Sequence, residues 1–314
     1  MKQLLAIFSA ILMVLMHYSA QAQSSYDFLQ LGVSARAGAL GGAFVSMGND
    51  PTAVYYNPGS LSTLKQNRAS ATFMKHVLDI SSGQATYVIP FDSNDVERIA
   101  ISAVYCTYGS FDETDAYGVK TGTFSANNVA LSGSYSNQLD RNLYYGITGK
   151  LIYSTLADAQ SSALAVDAGV YYAIPESRTN IGFSLLNIGT QLSSFDNYSD
   201  KLPLDVRLGI NHRLRGLPLL LNFSFHHLAD DAEVFFDRIG NFSIGGEFIL
   251  SRILDLRFGY DNIMRKATSS EGQRQLSGFS AGVGVKTQYL NIDYGISAFG
   301  TAGSIHRLSV NTEL

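Results

Sequence analysis

The side chains able to do chemistry in this chain are few. His226-His227 is the most conspicuous pair, since imidazoles titrate near neutrality and ligate metals. Adjacent residues of a strand point to opposite faces, so the two rings are not expected to meet on one ion. The expected role is the polar end of a strand at a membrane edge. Asp112, Glu113 and Asp115 form one acidic cluster, and Asp230, Asp231, Glu233 and Asp237 form another. Carboxylates so grouped suit divalent cations, although charge runs are usually solvated loops. Both are candidate cation or partner loops. Cys106 is the only cysteine, which excludes an intramolecular disulfide and a multi-cysteine metal site. No G-x-S-x-G, H-E-x-x-H or Walker pattern occurs, and Gly41-Gly42 lacks the Lys-Ser/Thr of a phosphate loop. No enzymatic role, metal or cofactor is expected. Arg36 stands alone among small residues. If buried, it needs a counter-charge, for which Asp167, Asp255 or Asp293 are the expected partners.

The elements that must position these groups are strands. Lys and Arg number 22 and Asp and Glu 26, for a net charge of -4, so there is no basic face for nucleic acid. Charged residues are 15% of the chain, against roughly 25% in ordinary soluble domains. Apolar residues stay at an ordinary 46%. Low charge without raised hydrophobicity suits a membrane β-barrel, whose apolar outer face alternates with a weakly charged lumen. Residues 1–22 have the form of a secretory signal: Lys2, an apolar run from Leu4 to Met16, and Ala20-Gln21-Ala22 as the cleavage site. No later apolar run approaches the ~20 residues of a membrane helix.

From about residue 67 onward the alternation is sustained. Leu254, Leu256, Phe258 and Tyr260 interleave with Asp255, Arg257, Gly259 and Asp261. Leu290, Ile292, Tyr294 and Ile296 likewise interleave with Asn291, Asp293, Gly295 and Ser297. Turn residues separate such segments. The pattern predicts strands near 69–78, 79–90, 97–109, 125–137, 141–156, 162–174, 178–189, 203–214, 217–228, 239–251, 253–263, 276–287, 289–300 and 304–313. That makes an all-β transmembrane antiparallel barrel of about fourteen strands over 67–314. Gly, Ser and Asn on the polar face leave room for a plug. Tyr144-Tyr145, Tyr171-Tyr172, Tyr260, Tyr289 and Phe299 are expected in an interfacial girdle. Between signal and barrel, 23–66 is a small-residue plug segment containing a short helix, capped by Asp50, begun by Pro51 and ended by Asn57-Pro58.

The plug segment resembles the start of the PorV/PorQ family of outer-membrane proteins, themselves similar to FadL-type barrels. The resemblance rests on Phe28-Leu29, Ser34-Ala35-Arg36-Ala37, Ala39-Leu40-Gly41-Gly42-Ala43 and Asn57-Pro58. Gly245-Gly246-Glu247-Phe248, Leu256-Arg257-Phe258-Gly259-Tyr260 and the ending Ser304 to Ser309 resemble the PorQ branch more than the PorV branch. The resemblance implies a barrel of the type IX protein secretion system in a Bacteroidetes-like outer membrane. It also implies a scaffold for a surface attachment complex with PorZ-, PorU- and PorV-like partners, amid outer-membrane lipid and lipopolysaccharide. Two other functions fit the same barrel: a FadL-like transporter of hydrophobic small molecules, or a shuttle for cargo sorting domains. The transporter predicts a lateral opening or kink in the strand wall and an apolar pocket beneath the plug.

Overall fold

The computed structural model describes residues 24–66, 68–91, 96–196, 199–230, 238–268 and 276–313. The expected signal, the terminal Leu314, and Asp231, Glu233 and Asp237 of the second acidic cluster lie outside these residues. Fourteen strands form one closed antiparallel barrel. They are β1 (Arg68–Lys75), β2 (Ser81–Pro90), β3 (Arg98–Thr114), β4 (Lys120–Asp140), β5 (Leu143–Leu156), β6 (Ala159–Ile174), β7 (Thr179–Ser193), β8 (Asp205–Arg213), β9 (Leu219–Phe225), β10 (Phe242–Ile249), β11 (Leu254–Asp261), β12 (Phe279–Lys286), β13 (Leu290–Ala298) and β14 (Ser304–Glu313). Every strand pairs with its sequence neighbours, and β1 closes on β14 from Arg68↔Glu313 to Lys75↔His306. Closure removes the edges that an open sheet would expose.

Each predicted strand has its counterpart. The main difference is at β3 and β4, which extend to Thr114 and begin at Lys120. Their hairpin continues past Ser81 of β2 and Leu156 of β5, beyond the rim of its neighbours. Alternation fades there because neither face of the ribbon is buried, so only backbone pairing marks it as strand.

The barrel is built with its polar side inward. Ile101 is 68% exposed and the next residue, Ser102, 3%. Along β11, Leu256 and Phe258 face out, while Asp255, Arg257 and Gly259 are buried. This inversion of the soluble pattern is what an apolar bilayer outside a filled lumen requires. No described helix is long and apolar enough to cross a membrane. Strands join through short turns such as 141–142 and 287–289 at one end, and through 194–204, 226–241 and 262–278 at the other. The end with the longer connections is the outer one in barrels of this type.

Residues 24–66 occupy the lumen and run from the outer end to the inner one. Ser24 Oγ donates to Lys201 O at 2.7 Å near the outer mouth. At the inner end Arg98 Nε donates to Leu64 O at 3.0 Å, just before β1 begins. The segment holds a 3-10 turn at Asp27–Gln30, and then a short helix α1 (Ala35–Ala39) and two further 3-10 helices, Pro51–Tyr55 and Pro58–Thr63. Ser34, Asp50 and Asn57 cap the last three, each accepting from a backbone N–H two or three residues on. Asn57-Pro58 both ends one turn and starts the next.

Candidate functional site: the plugged lumen

The plug lies against wall glycines. Asn57-Pro58-Gly59 passes over Gly146 and Gly169, and Leu40-Gly41 over Gly245 and Gly259. A Cβ on Gly245 would come within 2.7 Å of Leu40 O, and one on Gly169 would overlap Asn57 Oδ1. Gly41 has φ +65, and a Cβ there would stand 2.7 Å from Tyr260 N, so both its conformation and its surroundings exclude a side chain. Asn57 fastens this seat. Its Nδ2 donates to Val45 O at 3.0 Å within the plug and to Val170 O at 2.9 Å on β6. The inward glycines of the strands and the small residues of the plug are thus two halves of one close approach.

Arg36 anchors the inner half. Its Nε and Nη2 donate to the Glu247 carboxylate at 2.9 and 2.6 Å, and Nη1 reaches Asp50 at 3.0 Å. Two-point contact of guanidinium with carboxylate is both strong and directional. Glu247 is shared with Arg257 at 2.6 Å, and Arg257 reaches Asp293 at 2.5 Å and Asp255 at 3.3 Å. Lys286 closes the chain on Asp255 at 2.6 Å. The expected partners of Arg36 therefore need correction. Asp255 and Asp293 belong to its network one guanidinium away, while Asp167 pairs with Lys150 elsewhere. Glu247 takes the contact because α1 packs across the middle of β11 to β14, against Gly282 and Gly295, with β10 and its Glu247 alongside. Sequence offered several inward carboxylates and no way to rank them.

One side of the outer lumen, along β1 and β3 to β6, carries an apolar cluster. Met74, Val104, Cys106, Ala130, Ile152, Ala163 and Ala165 form a chamber, and Tyr26, Phe28, Val33 and Leu202 fill it. Phe28 is 1% exposed, and Leu29 packs at the cluster's edge. Tyr26 hydrogen-bonds Ser161. About 30 Å3 of cavity remains between this cluster, Tyr55 and Arg207. Cys106 on β3 is a buried free thiol. Several inward positions here carry apolar side chains, and their partners on the plug leave no trace in the spacing.

The wall beside the chamber is discontinuous. β8 begins at Asp205 opposite Leu186, so β7 beyond Leu186 pairs only with β6. At that point β7 is bulged, with Leu186 and Asn187 both buried and Asn187 at φ +63. Asp167 accepts from Asn187 N at 2.8 Å, and Lys150 donates to Asn187 Oδ1 at 2.7 Å. Asn187 Nδ2 donates to Pro203 O at 3.1 Å, drawing the segment before β8 across the gap. Leu202 and Leu204 are buried there.

The histidines correct a second expectation. His227 has φ +56, which ends the strand and cancels the alternation. The rings consequently lie 5.2 Å apart, and both residues are largely buried. His227 lies 3.3 Å from Asp230 and 3.8 Å from Asp205, and His226 lies 3.6 Å from Asp261. Burial opposes a charge on His227, but Asp205 and Asp230 outweigh it and raise its pKa above the ordinary value. No group of three metal-ligating side chains forms among the described residues. Asp112, Glu113 and Asp115 lie on the projecting β3–β4 hairpin, where Asp112 pairs with Lys120 at 2.6 Å and Asp115 caps the turn. Tyr171, expected in the girdle, points inward and is buried against Gly48.

Reading single residues missed Glu247, Lys150, Arg207 and Arg307 as lumen groups. Their signal was present: each cation or carboxylate sits at an inward position of an alternating strand, as in Asp205-Val206-Arg207-Leu208.

No protein-family model and no curated protein matches the chain. Solved structures do. A FadL homologue of Pseudomonas aeruginosa superposes with a TM-score of 0.59 at 11% identity, over 94% of this chain and 100% of that one. The Ralstonia pickettii toluene transporter TbuX gives 0.60 at 14%, over 90% and 98%. The Pseudomonas putida toluene transporter TodX gives 0.60 at 13%, over 90% and 99%. The fold is that of these FadL-like barrels, two of which are described as toluene transporters.

Proposed function

We propose that this chain transports hydrophobic small molecules across the outer membrane. The observation that carries this reading is the apolar chamber in the outer half of the lumen, occupied by the chain's own Tyr26 and Phe28. An inward face of Met, Val, Ile and Ala is costly to wet, and it favours apolar guests. The unpaired stretch of β7 beside it offers a lateral route that needs few ladder hydrogen bonds broken. Two of the similar structures are described as toluene transporters, which supports the same class of cargo. In this reading the aromatic N-terminal segment yields the chamber to a guest, and the Arg36 network keeps the inner half of the plug in place.

Uptake of radiolabelled toluene by cells producing the barrel tests the reading. Uptake above that of cells lacking it, further raised by Phe28→Ala, is the expected result. Uptake that is unaffected by the barrel would sink the proposal.

A second reading, a scaffold of the type IX attachment complex, is favoured by the plug motif. Ser34 to Ala43 and Asn57-Pro58 are seated without slack on wall glycines, as suits a lumen held shut. The acidic β3–β4 hairpin, with Asp112, Glu113 and Asp115, projects where surface partners or cation-bridged lipopolysaccharide would meet it. Affinity purification from solubilised outer membrane separates the two. Recovery of PorZ-, PorU- or PorV-like proteins favours the scaffold, and their absence removes it.

A further inference from the structure

A cavity of about 180 Å3 lies on the outer side of the plug, against β8 and the C-terminal strands, and both a buried guanidinium without an ion pair and a buried hydroxyl without an acceptor among the described residues border it. Arg307 of β14 is 5% exposed. Its Nε donates to Gly32 O at 2.9 Å and its Nη1 to Ser297 Oγ at 2.8 Å, but it makes no ion pair among the described residues. The Tyr56 hydroxyl, from the plug, is also buried and meets no acceptor. Both groups border Gly32: a Cβ there would stand 3.4 Å from Tyr56 Oη and 3.9 Å from Arg307 Nη2. An uncompensated buried guanidinium is unfavourable, and an orphaned buried hydroxyl adds to the penalty.

The surrounding charges do not supply the missing partner. Arg207 lies 5.3 Å from the Tyr56 ring, but Asp205 already neutralises it at 2.6 Å. Asp261 lines the same cavity, yet its carboxylate accepts from Ile263 N and Met264 N and faces His226. Arg307 is therefore left without a carboxylate in contact among the described residues, although Asp261 lines the same cavity. Leu31, Met264, Phe299 and Ile305 make the remaining wall partly apolar.

We propose that this cavity binds a short monocarboxylate. Arg307 Nη2 and the Tyr56 hydroxyl donate to the carboxylate, and its alkyl or aryl body lies against the apolar wall. The volume is equivalent to about six waters at ~30 Å3 each, which admits a butyrate or benzoate. Because Tyr56 belongs to the plug and Arg307 to the wall, the bound anion clamps one onto the other. The anion is thus a ligand of the closed plug, and the proposal stands whether the barrel transports or scaffolds.

Calorimetric titration of the mature protein in detergent, in Hepes at constant ionic strength, tests this with butyrate, benzoate, phosphate and chloride. One saturable site for butyrate or benzoate is expected. Affinity should fall at least about tenfold in Arg307→Gln and about threefold or more in Tyr56→Phe, the loss of a charged and a single hydrogen bond. Tyr56→Phe removes one oxygen and keeps the ring, so it serves if Arg307→Gln fails to fold. Carboxylate binding should also slow proteolysis of the plug in the parent and not in Tyr56→Phe. Absence of saturable carboxylate binding, tighter binding of phosphate or chloride, or undiminished affinity in Tyr56→Phe would each overturn the proposal.

Discussion

Glu247 stands between two guanidiniums, Arg36 of the plug and Arg257 of the wall, and is 1% exposed. Removing the charge from such a bridge leaves two buried cations competing for Asp50, Asp255 and Asp293. Glu247→Gln should destabilise the plugged barrel by about 3 kcal/mol. A lowered thermal midpoint in detergent, together with faster proteolysis of 24–66, would report it; an unchanged plug would show that the network does not hold it. His227 gives a pH dependence at the same scale. Its pKa is raised from 6.5, so its anchoring to Asp205 and Asp230 is complete below that value. The anchoring fades as pH rises through the shifted value. Hydrogen exchange at residues 226–230 should accelerate between pH 6 and pH 9 by more than the intrinsic rate does, and His227→Gln should abolish the difference.

At the scale of elements, the plug and the strands specify each other through backbone approach. A side chain on Gly169 meets Asn57, whose two hydrogen bonds tie the plug to β6. Gly169→Val should expel this turn while leaving the β5–β6–β7 ladder paired. Planar-bilayer recordings should then show frequent openings in the variant and a closed parent, and equal conductance would contradict the seat. The bulge of β7 is held by Asp167 through Asn187 N and Lys150. Asp167→Ala leaves Lys150 without its carboxylate and the bulge without its acceptor. Toluene uptake should change in this variant if the wall beside the chamber is the route.

For the whole molecule, stability depends on which side of the wall meets lipid. Phe258 is exposed to the bilayer, and Arg257 beside it is buried in the network. Phe258→Arg should cost about 2–4 kcal/mol of folding into bilayers, as charges do at mid-depth on a lipid-facing strand. Equilibrium unfolding from lipid vesicles measures it, and a neutral result would contradict the assigned outer face. The lumen follows a different rule, since each inward charge there is tied to others on separate strands. Losses on that face should be shared along the network and be far from additive.

Alternation by itself determined the strands, their number and their two faces, because a residue's side of a strand depends only on local backbone geometry. The caps at Ser34, Asp50 and Asn57 were legible for the same reason, as were the turns. What only the tertiary structure decided is what each inward residue meets. Closing the barrel brings Arg36 to Glu247, 211 positions away, and sets Tyr56 beside Arg307. It also fills an apolar chamber with Phe28 and folds His226 and His227 to one side through a single left-handed residue. Such pairings depend on barrel registry and on the path of the plug, and neither leaves a periodic trace in the chain. Arg36 and the histidines were therefore visible from the start, and their partners were not.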